Sequence, residues 1–262
     1  MDWTPTIEQT FRYLEPAALL LVILRLAGQG LAARYKAFAA YLAIWLCQDL
    51  VPLVFGWSLG SNKYARFFFA SEPWAWVFSC LVLIELFDLT FTRFPGIRSA
   101  GRLLLTAAIL VGIFIGIGTA VPTLFYRRDP GGLLLLFSVL ERSVMLVVLA
   151  LLGALQFLMV HYRLQLPRNT IVYSFTYAVY FTARALQALV MSELGPGYSV
   201  AANVATMAVD LACLLVWAFA LTRAGVTNEI VAGPKLSDEE RARLRGRLLT
   251  LNEALGRLGH LK

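Results

Sequence analysis

Glu141 and Arg142 stand side by side inside the apolar run "LLLLFSVLERSVMLVVLALLG", residues 133 to 153, and they are not isolated cases. Asp49, Arg184, Asp210 and Arg25 also sit within apolar stretches, and Glu85 and Asp88 are spaced i,i+3 in "LIELFDLT". Adjacent residues on a helix point about 100° apart, so Glu141 and Arg142 cannot satisfy one another and each needs a partner elsewhere. Glu85 and Asp88, by contrast, share one helix face. Two carboxylates held close in low dielectric repel, which is the starting point for a proton relay or a general acid. A quieter alternative has Asp88 reaching Arg93 and Arg98 while Glu85 pairs with Arg25.

Other chemistries are excluded by residue type. The four lysines, Lys36, Lys63, Lys235 and Lys262, all lie outside the apolar runs, so no retinal Schiff base is expected. His161 and His260 are the only histidines, which argues against haem held by a histidine pair. Cys47, Cys80 and Cys213 are scattered, without the C-x-x-C spacing of a zinc site or an evident disulfide framework. Phosphate-binding glycine loops and the motifs of zinc peptidases and serine hydrolases are missing, and no cofactor is indicated.

The elements that must position these residues follow from composition. Of 262 residues 59% are hydrophobic and 15% charged, far to the apolar side of the roughly 25% charged usage of soluble domains. Crossing a bilayer takes about 20 apolar residues as a helix, because only helices and closed barrels satisfy their backbone in hydrocarbon. Apolar runs near 17–34, 37–57, 74–92, 103–124, 133–160, 170–192 and 200–222 predict an all-α, polytopic bundle of seven transmembrane helices. Residues 1–16 read as an external segment, 17–223 as the transmembrane domain, 224–236 as a linker and 237–262 as a cytoplasmic amphipathic tail helix. The N-terminus carries acids before its apolar run, and no signal peptide is expected.

With the N-terminus outside, the inner loops hold seven bases: Arg34, Lys36, Arg93, Arg98, Arg102, Arg163 and Arg168. The outer segments hold five: Arg12, Lys63, Arg66, Arg127 and Arg128. The positive-inside bias therefore places the C-terminus in the cytoplasm of a bacterial inner membrane, and Trp57, Tyr64, Trp74 and Trp76 at the outer boundary. The net charge of +7 reads as topology and contact with anionic headgroups, and nucleic acid is not an expected partner. At 1.5 Å per residue, Arg25, Glu85 and Asp210 lie near the membrane middle, Asp88 toward the inside, and Asp49, Glu141, Arg142 and Arg184 in the outer half. Depth alone allows Arg142 to meet Asp49 and Glu141 to meet Arg184. Gln48, Gln187 and Asn203 add neutral hydrogen-bonding groups at similar depths.

In the tail, Ser237 and Glu240 form a capping-box pattern. Leu244, Leu248, Leu251, Leu255 and Leu258 follow at spacings of four and three, a stripe that can lie on the membrane, fold back on the inner loops or dock a protein partner. Gly112, Gly116 and Gly118 in "GIFIGIG" read as a close helix contact. Two pairs of segments can be laid against each other: "LEPAALLLVILRLA" on "LERSVMLVVLALLG", matching Glu15 with Glu141, and "YLAIWLCQDLV" on "YFTARALQALV", matching Tyr41 with Tyr180 and Gln48 with Gln187. Such matches suggest a parallel repeat of three helices, a linking helix and three helices.

Through "LLLLFSVLERSV" and "ELFDLTFTRFPGIR" the chain resembles a group of bacterial, acidobacterial-type, seven-helix membrane proteins with no assigned activity. That resemblance implies fold and location only. Sugar transporters of two three-helix units share the layout, but their Pro-Gln signature is absent, and no stretch matches the membrane terpene cyclases. The residues point to a binding or sensor-type protein with a charged cavity open to the outside. An accessory subunit, a proton-coupled transporter and an intramembrane acid-catalysed enzyme are the alternatives.

Overall fold

A computed structural model describes residues 4–126, 131–193, 199–231 and 238–259. The helices are α1 (Thr4–Gly28), α2 (Lys36–Thr90), α3 (Pro95–Tyr126), α4 (Gly131–His161), α5 (Arg168–Glu193), α6 (Ser199–Ala220) and α7 (Asp238–Gly259). Strands β1 (Gln165–Pro167) and β2 (Glu229–Val231) form one short antiparallel pair, with Leu166 opposite Ile230. The protein is thus all-α. Five segments, 36–55, 66–90, 95–115, 139–161 and 200–220, are long and apolar enough to cross a membrane. It is a helical integral membrane protein.

Helical backbone is continuous through α2, including the stretch expected to be an outer loop. Yet Gln48 Nε2 donates to Glu72 Oε2 at 3.0 Å, whereas a straight helix would hold residues 24 apart in sequence about 36 Å from each other. The chain therefore turns back between these residues, giving α2 a first leg and a second leg. Pro52 falls inside this reversal and Pro73 just after it, each removing one ladder hydrogen bond. Helix α1 begins at Thr4, so most of the segment expected to lie outside is helical.

Two compact units divide the chain, Met1–Val82 with Phe175–Arg223, and Leu83–Ser174 with Ala224–Lys262. The first unit is built on a cluster of rings. Trp217 of α6 meets Phe38 edge-on at 4.8 Å, and Tyr177 meets Phe181 at 4.7 Å. Tyr177 Oη donates to the Ser79 carbonyl (3.3 Å), fastening α5 to the second leg of α2.

In the second unit α3 lies against α4 and α7. A Cβ at Gly112 would overlap the Val147 side chain of α4, and one at Gly101 would overlap the Phe87 ring, so both glycines mark close approaches. Gly118 has open space around it. The segment expected as a linker holds a 3-10 turn, Ala224–Val226, and then β2.

The N-terminus of α3 explains why the tail helix is where it is. Pro95 occupies the first helical position, which its fixed φ suits, but Phe94 before it has no side-chain acceptor for the next orphan amides. Asn252 of α7 supplies one: its Oδ1 accepts from Gly96 N–H at 2.8 Å and Ile97 N–H at 3.2 Å. Leu248 is 3% exposed, while Leu251 is 44% exposed and Leu255 half-buried. The expected leucine stripe is therefore split, with Leu248 consumed in docking the tail. The side chains of Leu244 and Leu258, and Ser237, lie outside the described residues. Replacing Asn252 with Ala should cost about 1 kcal/mol and speed hydrogen exchange at the Gly96 and Ile97 amides, read by thermal unfolding and exchange mass spectrometry.

Candidate functional site: a carboxylate cluster around Arg184

Asp210 lies in the middle of α6 and is 1% exposed. A carboxylate there must be paired, and the pair comes from α5: Arg184 Nη2 sits 2.8 Å from Asp210 Oδ2, with the arginine side chain 30% exposed. The sequence offers Asp210 no nearby base, and the structure supplies one through the α5–α6 packing. The guanidinium also lies over two rings, 5.4 Å from the Tyr180 centroid and 5.7 Å from that of Trp45, an attraction between cation and π-face that gains from exclusion of water. Beside it Tyr41 and Tyr180 share a buried hydrogen bond between hydroxyls at 2.6 Å.

Three more carboxylates lie within the field of Arg184: Glu15 of α1, Asp49 of the first leg of α2 and Glu72 of the second leg. Glu15 is buried and interacts with the Trp45 indole N–H. Glu72 accepts from Gln48, which also donates to Ser71 Oγ at 3.3 Å. Gln187 Nε2 donates to Asn203 Oδ1 at 2.6 Å, joining α5 to α6. Asp49 Oδ2, Asp210 Oδ1 and Arg184 Nε are buried with no hydrogen-bond partner among the described residues. Such atoms cost about 1–3 kcal/mol each when nothing reaches them, so this cluster has unused capacity for hydrogen bonding.

Arg184, which depth alone allowed to meet Glu141, pairs with Asp210, and Glu141 and Arg142 lie on α4. Arg25 lies over the Phe219 ring at 5.4 Å. Asp88 bonds Arg98 Nε at 3.0 Å and lies 3.7 Å from Arg102 Nη1, an ion-pair group at the start of α3. Glu85, half-buried, is on the same helix one turn earlier. Gln187 is part of the cluster through Asn203.

Sequence reasoning did not single out Glu15, Glu72, Trp45, Tyr41 or Tyr180 as site residues. Glu15 and Glu72 fall at the edges of the apolar runs, where a charge looks like a solvated boundary. The signal was the pair of segment matches, which put Glu15, Tyr41, Gln48, Tyr180 and Gln187 at corresponding positions. A groove of about 480 Å³ on α5 and α6, lined by Phe175, Val179, Val209 and Val216 among others, is apolar and holds none of the charged residues. No protein-family model, curated protein or solved structure matches the chain, so the reading of this site rests on its own geometry.

Two outcomes follow from burial. Tyr41→Phe and Tyr180→Phe should each cost about 1–3 kcal/mol by orphaning the other hydroxyl, while the double variant costs less than the sum, as measured by a double-mutant cycle of unfolding in detergent. Asp210→Asn should lose stability toward the lower end of about 3–5 kcal/mol, because Arg184 keeps some exposure, and Asp210→Leu combined with Arg184→Leu should recover part of it, by the same unfolding measurement.

Proposed function

We propose that the protein is a binding or sensor-type integral membrane protein whose ligand site is the cluster around Arg184. The observation that carries this reading is the gathering of four carboxyl groups in the field of one guanidinium, with three buried polar atoms of the group unpartnered among the described residues. A helix-locking ion pair needs one acid and leaves none over. Asp88 with Arg98 and Arg102 is what such a lock looks like in this chain. A ligand that competes for Glu15, Asp49 or Glu72 changes the balance of attraction on Arg184, and exchange of its partners is the mechanism by which occupancy reaches the helices. Arg142 and Glu141 have no part in this version of the exchange.

The same reading takes the seven helical legs that precede α7 as spans. Helices α1 and α5 are long enough at 25 and 26 residues, and the polar side chains that lower their hydropathy, Glu15, Arg184 and Gln187 among them, are those of the cluster. The loop bases support an N-terminus outside the inner membrane. Tail docking through Asn252 and Leu248 leaves Leu251 and its exposed neighbours as the face that meets a partner or the headgroups.

A thermal-shift screen of small metabolites on the purified chain in nanodiscs tests the proposal. A ligand at one hundred times its Kd stabilises by about 2.7 kcal/mol. Its effect should disappear in Arg184→Gln and persist in Asp88→Asn. A shift retained in Arg184→Gln places the site elsewhere and overturns the reading.

A further inference from the structure

The two bonded tyrosines are 139 residues apart. The same offset relates Trp45 to Arg184, which are also in contact, and Gln48 to Gln187. Each glutamine then bonds the next helical leg in its own part of the chain: Gln48 reaches Ser71 on the second leg of α2, and Gln187 reaches Asn203 on α6. Ser71 and Asn203 are 132 apart, and at that offset "FDLT", residues 87 to 90, reads against "FALT", residues 219 to 222.

The preceding helices correspond as well. Leu19, Val22 and Leu26 of α1 are buried, as are Leu152, Leu155 and Met159 of α4 at an offset of 133. Both helices end in the same left-handed cap. Gly30 (φ 70°) and Arg163 (φ 47°) take the positive-φ position, and Leu31 and Leu164 donate back to Leu26 and Met159.

Contacts across the seam give its geometry. Tyr41 touches Tyr177 and Tyr180, and Trp45, one turn on, touches Tyr180 and Arg184. The first leg of α2 and α5 therefore run parallel and in register. Corresponding residues, Tyr41 with Tyr180 and Trp45 with Arg184, meet across the seam in a local pseudo-symmetry. The charges do not obey that symmetry. The first copy brings Glu15, Asp49 and Glu72, and the second brings Arg184 and Asp210. Arg184 is engaged 2.8 Å away by the acid of its own copy. Among the described residues, the carboxyl groups of Glu15, Asp49, Glu72 and Asp210 outnumber the guanidinium groups of Arg184 and of Arg12, whose field reaches Asp49.

We infer that this seam between two copies of one helical hairpin binds a small organic cation, an ammonium held by the carboxylates of the first copy against the Trp45 indole. Repeat interfaces are where parallel-repeat membrane proteins place their substrate sites, and the carboxylate excess, with unpartnered oxygens on Asp49 and the buried Asp210, selects the sign. Aromatic faces beside carboxylates suit an ammonium group, which both attract. The inference rests on the reading of the Arg184 cluster as a binding site and adds the charge of what binds.

The test uses the full chain in detergent with ethylammonium and tetramethylammonium chloride as probes, sodium chloride at equal ionic strength as the reference, and sodium acetate as the anionic counterpart. Thermal midpoint and tryptophan fluorescence are followed. An ammonium probe should raise the midpoint above the sodium reference, and Asp49→Asn should weaken that response at least tenfold, with Asp88→Asn unchanged. Glu15→Gln and Glu72→Gln carry the same reading if Asp49→Asn does not fold. An acetate response that depends on Arg184, with none to ammonium, overturns the cation while leaving the binding site standing. Silence of both ammonium probes, or a response unchanged in all three carboxylate variants, also overturns the inference.

Discussion

A guanidinium buried in a helical bundle has to be answered there, because its charge cannot be removed at any ordinary pH. Arg184 sets that demand for the first unit. Asp210 answers it through a direct pair, and the faces of Trp45 and Tyr180 answer it through their quadrupoles. Those rings are where they are because Tyr180 is bonded to Tyr41 and Tyr177 to the backbone of α2. The packing of α5 with α6 and with the first leg of α2 is thus one connected solution to a single electrostatic problem.

The two units treat their charges differently. Around Asp88 there are two arginines and solvent exposure, so the group is neutralised and screened. Around Arg184 the balance runs the other way among the described residues, with acids in excess and three buried polar atoms lacking partners. Low dielectric magnifies both attraction and repulsion, so small changes in who pairs with Arg184 are felt strongly. That contrast separates a screened ion pair from a desolvated one within one chain.

Much of this was visible in the residue order. Hydropathy located the helices because lipid-length apolar runs have few other uses, and Asp88 lay close enough to Arg98 in sequence for that pair to be anticipated. The partner of Arg184 was not legible, because it depends on how α5 and α6 are rotated about their axes, which spacing within one helix does not specify. The helical course of the expected loop in α2 was hidden for another reason: Gly60, Ser61 and Asn62 are poor helix formers, and the stretch is helical all the same. The correspondence of Tyr41 with Tyr180 was legible as an alignment, but only coordinates could turn equal positions into touching side chains.

The cap on α3 has a temporal side. The amides at Gly96 and Ile97 are satisfied by a side chain 156 positions further along for Gly96, so a ribosome must deliver α4, α5 and α6 before the first turn of α3 can be finished. Until then that turn can only be hydrated, which favours keeping it in the aqueous boundary while later helices enter the bilayer. Docking of α7 is then the step that completes the first turn of α3.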